Sequence, residues 1–136
     1  MKKSILILGA MSIMAISLNS CGNKGPESID IKSAESTCDC IDLKIEILKG
    51  KIDVMENIGS TDTPEDVIYN EYGTRYSWND VPEYDKWFEK DREHRHHCRE
   101  IDKRWHKDKS CENYEKYDDL DSKANKLYSE LNPPKL

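Results

Sequence analysis

The sequence predicts an all-α protein, a small disulfide-stapled helical bundle of three to four helices behind an apolar leader and a polar tether. Three observations predict it. Every periodic segment has its apolar residues three and four positions apart, the spacing of one helix face, and none alternates as a strand does. Charged residues make up 35% of the chain and hydrophobic ones 36%, leader included, so the core is thin and covalent staples would help it. Four cysteines follow the leader, Cys38, Cys40, Cys98 and Cys111, an even number that favours pairing.

The leader is "MKKSILILGAMSIMAISLNSCGNKG". Lys2 and Lys3 form a positive end, Ile5 to Leu18 an apolar stretch, and small residues follow, which is the pattern of a signal peptide over residues 1–20. The run is shorter than the roughly 20 apolar residues of a comfortable membrane span. "LNSC", Leu18 to Cys21, resembles the lipobox of bacterial lipoproteins. That resemblance implies cleavage before Cys21, which becomes a mature N-terminus carrying palmitate-like acyl chains. Each buried CH₂ contributes about 0.8 kcal/mol, so several chains hold a protein on a membrane lastingly. Gly22 stands where an aspartate would retain such a protein in the inner membrane, so the resemblance implies the outer membrane. "SCGNK" also looks like lipoproteins of the Bacteroidetes, in which acidic residues just after the cysteine favour export to the surface. Asn23 and Lys24 occupy those positions and Glu27 comes late, so the expectation is a domain facing the periplasm, with the cell surface as the alternative.

Residues 21–36 carry the lipidated end and "GNKGPESIDIKSAES", a polar stretch with Gly and Pro that reads as a flexible tether. The helical domain is expected over residues 37–132, with 133–136 as a tail. In "TCDCIDLKIEILKGKIDVMENIG" Cys38, Ile41, Ile45, Leu48, Ile52 and Met55 recur at helical spacing. Leu43, Ile47, Val54 and Ile58 widen that face, which makes this the central helix. Gly50 inside it costs about 1 kcal/mol against Ala and admits a kink, and Gly59 is its expected stop. Thr63 as cap, Pro64 in the first turn and Glu65 and Asp66 behind it predict a short helix that Gly73 ends. Asp80, Pro82 and Glu83 open a third helix, with a stripe of Trp87, His94, Cys98, Ile101 and Trp105 that Asp91 interrupts. Neither Gly nor Pro follows before Pro133, yet basic "KRWHKDK" suits a helix end and acidic "SCENYEKYDD" a helix start, which places a turn near Asp108 to Ser110. The last helix carries Tyr117, Leu120, Ala124, Leu127 and Leu131 on one stripe, and Pro133 and Pro134 stop it.

The "CDC" cysteines lie about 200° apart around a helix, so Cys38 and Cys40 face different partners. A disulfide needs Cα atoms about 4.4 to 6.8 Å apart, and one continuous helix would hold Cys98 and Cys111 about 20 Å apart. The expectation is that Cys98 bonds one cysteine of the pair and Cys111 the other, with the first and third helices antiparallel. Two alternatives stand beside this. His94, His97 and Cys98 share a helix face in "EHRHHCREIDKRWH" and, completed by another cysteine, would make a Zn²⁺ or Cu(I) site for a metal-handling protein. Cys38 and Cys40 near a helix N-terminus would also serve a thiol redox protein. Among so many charged neighbours, the four histidines are expected on a solvated surface.

Residues 1–20 hold two lysines and no acids, so without them the formal charge moves from −6 to −8. An acidic chain of this kind is a poor partner for nucleic acid, and its route to a membrane would be the lipid. No nucleophile elbow, phosphate loop, metalloprotease motif or C-x-x-C-H haem site occurs, so no cofactor is implied. "DLDSKANKLYSE" has Lys123 and Ala124 where a calcium loop needs a ligand and a glycine, and reads as helix surface. Across residues 36–111 the chain also resembles small cysteine-containing helical lipoproteins of Bacteroidetes, a likeness that implies no activity. The expectation is a non-enzymatic envelope module that binds or supports another envelope protein.

Overall fold

The computed structural model describes residues 25–62, 73 and 76–134; the signal peptide, Cys21 and the short helix expected between Thr63 and Gly73 lie outside the described residues. Three α-helices run through the described part: α1 (Thr37–Ile58), α2 (Pro82–Ile101) and α3 (Tyr114–Glu130). The all-α bundle is thus observed, with a single isolated bridge between Ser60 and Asn132 as its only β-type pairing among the described residues.

α1 begins with a reciprocal cap. The Asp39 N–H donates to Ser36 Oγ at 3.1 Å, and the Ser36 N–H donates back to Asp39 Oδ2 at 3.1 Å. Asp39 also accepts from the Glu35 N–H at 3.0 Å, the first reason its carboxyl sits below the usual range. α1 ends at Gly59, as its spacing predicts. Its apolar side is almost wholly covered: Ile41, Ile45, Ile47, Leu48, Ile52 and Met55 are buried.

α2 starts at Pro82, whose fixed φ suits a first turn, after a 3₁₀ turn at Trp78–Asp80. It runs antiparallel to α1, because Cys98 meets Cys40, Asp91 meets Lys44 and Lys51, and Trp87 meets Gly50 in reverse order. α2 ends at Ile101, so the break between the last two helices spans residues 102–113 and is wider than the expected turn at Asp108 to Ser110. Trp105, expected on the α2 stripe, stands in a 3₁₀ turn beyond it and is buried all the same. α3 then runs parallel to α1, as Asn113 donates to Asp42 near one end and Lys123 pairs with Glu56 near the other. Beyond α3 the Ser60 and Asn132 backbones exchange two hydrogen bonds of 3.0 and 2.7 Å, and Trp78 Nε1 donates to the Leu131 carbonyl at 3.0 Å.

The core has two parts on different sides of α1. The larger joins Ile41, Ile45, Leu48, Ile52 and Met55 to Trp78, Tyr84, Trp105, Tyr117 and Ala124. The smaller is Ile31, Ile47 and Trp87. Ile31 belongs to the stretch expected to be a flexible tether, and that expectation is corrected here. Residues 25–36 form a packed arm of two 3₁₀ turns, Pro26–Ser28 and Ile31–Ser33, with Pro26, Ile31 and Ala34 buried. The arm's few apolar residues find a slot between α1 and α2, and burying one aliphatic side chain there is worth about 1.5 to 3 kcal/mol.

α1 runs without a break through Gly50, where the sequence admits one. The glycine is there for clearance. A Cβ at position 50 would lie 2.3 Å from the Trp87 ring, closer than real atoms approach. Gly50→Ala should therefore destabilise the protein by about 1 to 3 kcal/mol, even though Ala is the better helix former by about 1 kcal/mol. Urea unfolding of the two proteins checks this, and a more stable Ala variant would refute the packing described.

Candidate functional site

The residues with most chemical capacity gather where α1 begins, α2 ends and α3 begins. Cys38 bonds Cys111 and Cys40 bonds Cys98, with Cα separations of 5.2 and 5.9 Å. Cys98 thus bonds one cysteine of the "CDC" pair and Cys111 the other, as expected from the opposite facing of Cys38 and Cys40. Cys40 and Cys98 are fully buried, and Cys111 nearly so. The loop between α2 and α3 is also held to α1 by Asp108, which accepts from Ser110 and, at 2.5 Å, from Thr37 Oγ1. The Ser110 hydroxyl first and Thr37 second keep the Asp108 carboxyl below its usual range.

His94 lies behind the Cys40–Cys98 bond and has no solvent exposure. Its Nε2 donates to the Cys40 carbonyl at 2.7 Å and lies 3.4 Å from Cys98 Sγ. Trp105 meets the ring edge-on at 4.9 Å between centroids. Nδ1 has no hydrogen-bond partner, which fits an uncharged ring. Burial above all, helped by the nearby Lys44 charge, pushes the imidazole down to about 4, against the opposing pull of the Cys40 carbonyl and Asp91.

One turn before His94, Asp91 is also buried. It accepts from Lys44 Nζ through one carboxylate oxygen and from Lys51 Nζ at 2.7 Å through the other. Burial alone would raise its pKa, but the two ammonium groups outweigh burial and hold the carboxyl below its ordinary value. Lys51 also lies 5.8 and 5.7 Å from the ring centres of Tyr84 and Phe88. Asp91 is therefore the anchor of an interior ion group, where an interruption of the stripe was expected.

The expectation of four surface histidines needs the same correction. His96 and His106 are exposed, but His94 is interior, and half-buried His97 donates from Nε2 to the Ala34 carbonyl at 3.0 Å. Of the metal-ligand set His94, His97 and Cys98, the structure keeps two together: the convergent atoms belong to Cys40, His94 and Cys98. A second such group is Cys38, Asp108 and Cys111. With both disulfides closed, no sulfur in either group is a thiolate, the form that binds metal or attacks as a nucleophile. Cys38 and Cys40 are bonded to different partners and not to each other. The chain matches no protein-family profile, no curated protein and no solved structure.

Two outcomes follow from these interior groups. Asp91→Asn removes the one acid between two buried ammonium groups and should cost about 3 to 5 kcal/mol of stability, as for other broken buried pairs. Denaturant midpoints would show it, and a loss within the error of surface substitutions would contradict the burial of this group. The second outcome concerns pH. An unfolded chain protonates His94 near 6.5, whereas the fold resists until about pH 4. The stability is therefore intact above pH 6.5 and falls as pH drops from 6.5 to 4, by about 3 kcal/mol for this one group. Asp91, whose folded value is lowered, keeps its contribution above its unfolded value of 3.8 and loses it only below, so the two windows separate. Unfolding curves across pH 4 to 7.5 should slope for the wild type and flatten for His94→Gln; parallel profiles would refute the assignment.

Proposed function

We propose that this chain is a lipid-anchored protein of the cell envelope, held through Cys21 in the outer membrane and facing the periplasm, whose folded part is a non-enzymatic interaction module. The observation that carries the reading is the bookkeeping of its five cysteines. Four of them are tied in pairs within the bundle, which suits an oxidising compartment, and the fifth stands at the end of "LNSC" behind a signal-like leader. No helix among the described residues is long and apolar enough to cross a membrane.

The non-enzymatic part of the proposal is supported by where the polar chemistry lies. His94, Asp91, Lys44 and Lys51 are all buried and engaged with one another or with backbone, out of reach of a substrate. The metal-handling and thiol redox alternatives both begin from free thiols at Cys38, Cys40, Cys98 or Cys111. Metal analysis of tag-free protein, together with a thiol count, separates them: stoichiometric zinc or copper on free thiols would favour metal handling.

Cys21→Ser tests the anchor. Cells given a clickable fatty-acid analogue should label the wild type and leave the variant unlabelled, with altered processing of its leader. Equal label in both proteins would sink the assignment.

A further inference from the structure

The folded body begins almost at the proposed anchor. The Ser28 N–H and hydroxyl both donate to the Gly25 carbonyl, at 3.1 and 2.7 Å. Pro26 is buried, Lys90 Nζ donates to the Ile29 carbonyl at 3.4 Å, Ile31 packs on Ile47 and Trp87, and His97 holds Ala34. The arm is part of the bundle from its first turn. A tether running from Cys21 to Thr37 would reach about 55 Å, but the five steps from Cys21 to Pro26 reach at most about 18 Å. α1 alone, at 22 residues, is about 33 Å long. A link shorter than the body it holds leaves little freedom to turn that body over.

The side that must stay close is the side carrying the arm. Around α1, Ile47 and Gly50 face Trp87 and the arm, whereas Ile41, Ile45 and Ile52 lie roughly 170° away. Ile47 belongs to the small core with Ile31 and Trp87, whereas Ile41, Ile45 and Ile52 belong to the core that receives Tyr117 and Ala124 of α3 and, from the end of the arm, Ala34. α3 is therefore on the far side of α1 from the part of the arm that carries Ile31. We propose that the arm-bearing side of α1 and α2 lies against the bilayer and that α3 is turned away from it, toward whatever the module meets. This rests on the lipid anchor at Cys21 proposed above.

The charges on the arm side are mixed. Open grooves beside the arm carry Glu46, Asp53, Glu89 and Glu93 along with Lys49, Lys86 and Arg92. Such a face has no basic surplus with which to hold anionic lipid. The closeness comes from the short link, so it persists on zwitterionic lipid and at raised salt.

The test uses the acylated protein purified from cells and placed in vesicles of phosphatidylethanolamine and phosphatidylcholine. Its reference is the same protein with a long Gly/Ser insertion between Asn23 and Lys24, which keeps the lipid and frees the body. Intact mass first establishes the acyl chains on both. Exposed lysines are then acetylated and read by peptide mass spectrometry. Lys49 and Lys86, beside the arm, should lose labelling relative to the extended reference, while Lys116 and Lys126 on α3 label equally in both. Neutron reflectometry on supported bilayers of the same lipids should find no solvent gap wider than about 18 Å beneath the protein, and a wider one beneath the reference. An acylated protein with unprotected Lys49 and Lys86, or standing farther off than this reach, would overturn the orientation alone. A protein without acyl chains would overturn the anchor and the orientation with it.

Discussion

Two cysteines separated by one residue point to opposite sides of a helix, and this fixes the topology of the bundle. Cys38 and Cys40 each require a partner, so an element must end on one side of the start of α1 and another must begin on the other. α2 ends there at Cys98, and the loop before α3 supplies Cys111. The up, down, up order of the three helices follows, as does the placing of both chain breaks. The bonds are nested, with sequence separations of 58 and 73 residues. Closing the inner loop alone removes chain entropy worth about 4 kcal/mol. With that loop closed, the outer bond shuts a ring of only about 15 residues, worth about 3 kcal/mol. Together these are comparable with the whole net stability of about 5 to 15 kcal/mol typical of a small domain.

Beyond the disulfide corner, the seam between α1 and α2 is held by contacts of a different kind. Lys44 and Lys51, two turns apart on α1, close on the single carboxylate of Asp91. Beside them Trp87 lies against the bare backbone at Gly50. Neither feature is the cheapest way to stabilise a helix pair, since apolar side chains of the same volume would often do as well. Both are intolerant of sliding. A shift of α2 by one turn would leave buried charges unpaired and drive the indole into a side chain.

The central helix was legible because its apolar residues keep one period over six turns, and the disulfide partners because that period fixes where each cysteine points. The arm was not. It is mostly polar and opens on Gly and Pro, and only Ile31 and Ala34, three residues apart and just before a capping box at Ser36 and Asp39, hint that it packs. Asp91 was misread for a related reason. Sequence periodicity places it on the buried stripe of α2, but an acid there looks like an exception until its counter-charges are found. Those were visible too, as Lys44 and Lys51 seven residues apart within the apolar face of α1. His94 sat on the same stripe. A neutral imidazole costs little to bury if one nitrogen finds a carbonyl, so its charged neighbours in sequence said nothing about its own side of the helix. The acyl modification of Cys21 and the segment between Thr63 and Gly73 are matters on which the sequence pattern alone speaks.

A thin core and the anchor proposed at Cys21 would place separate demands on a chain of this size, and the arm would answer both. Acyl chains in a bilayer add nothing to the folding free energy of the attached domain, so stability must be found within the bundle. Drawing Ile31 into the slot beside Ile47 and Trp87 adds a second patch of buried apolar surface on the side of α1 that α3 leaves open, while Ala34 joins the main core. The same packing consumes most of what would otherwise be free chain. A domain stabilised in this way has little reach: with the anchor proposed at Cys21, the contacts that complete the core on one side of α1 would also decide which side stands nearest the membrane. Partner recognition would then fall to α3 and the polar surface around it, because the remaining reactive groups of the bundle are spent on holding its helices in register.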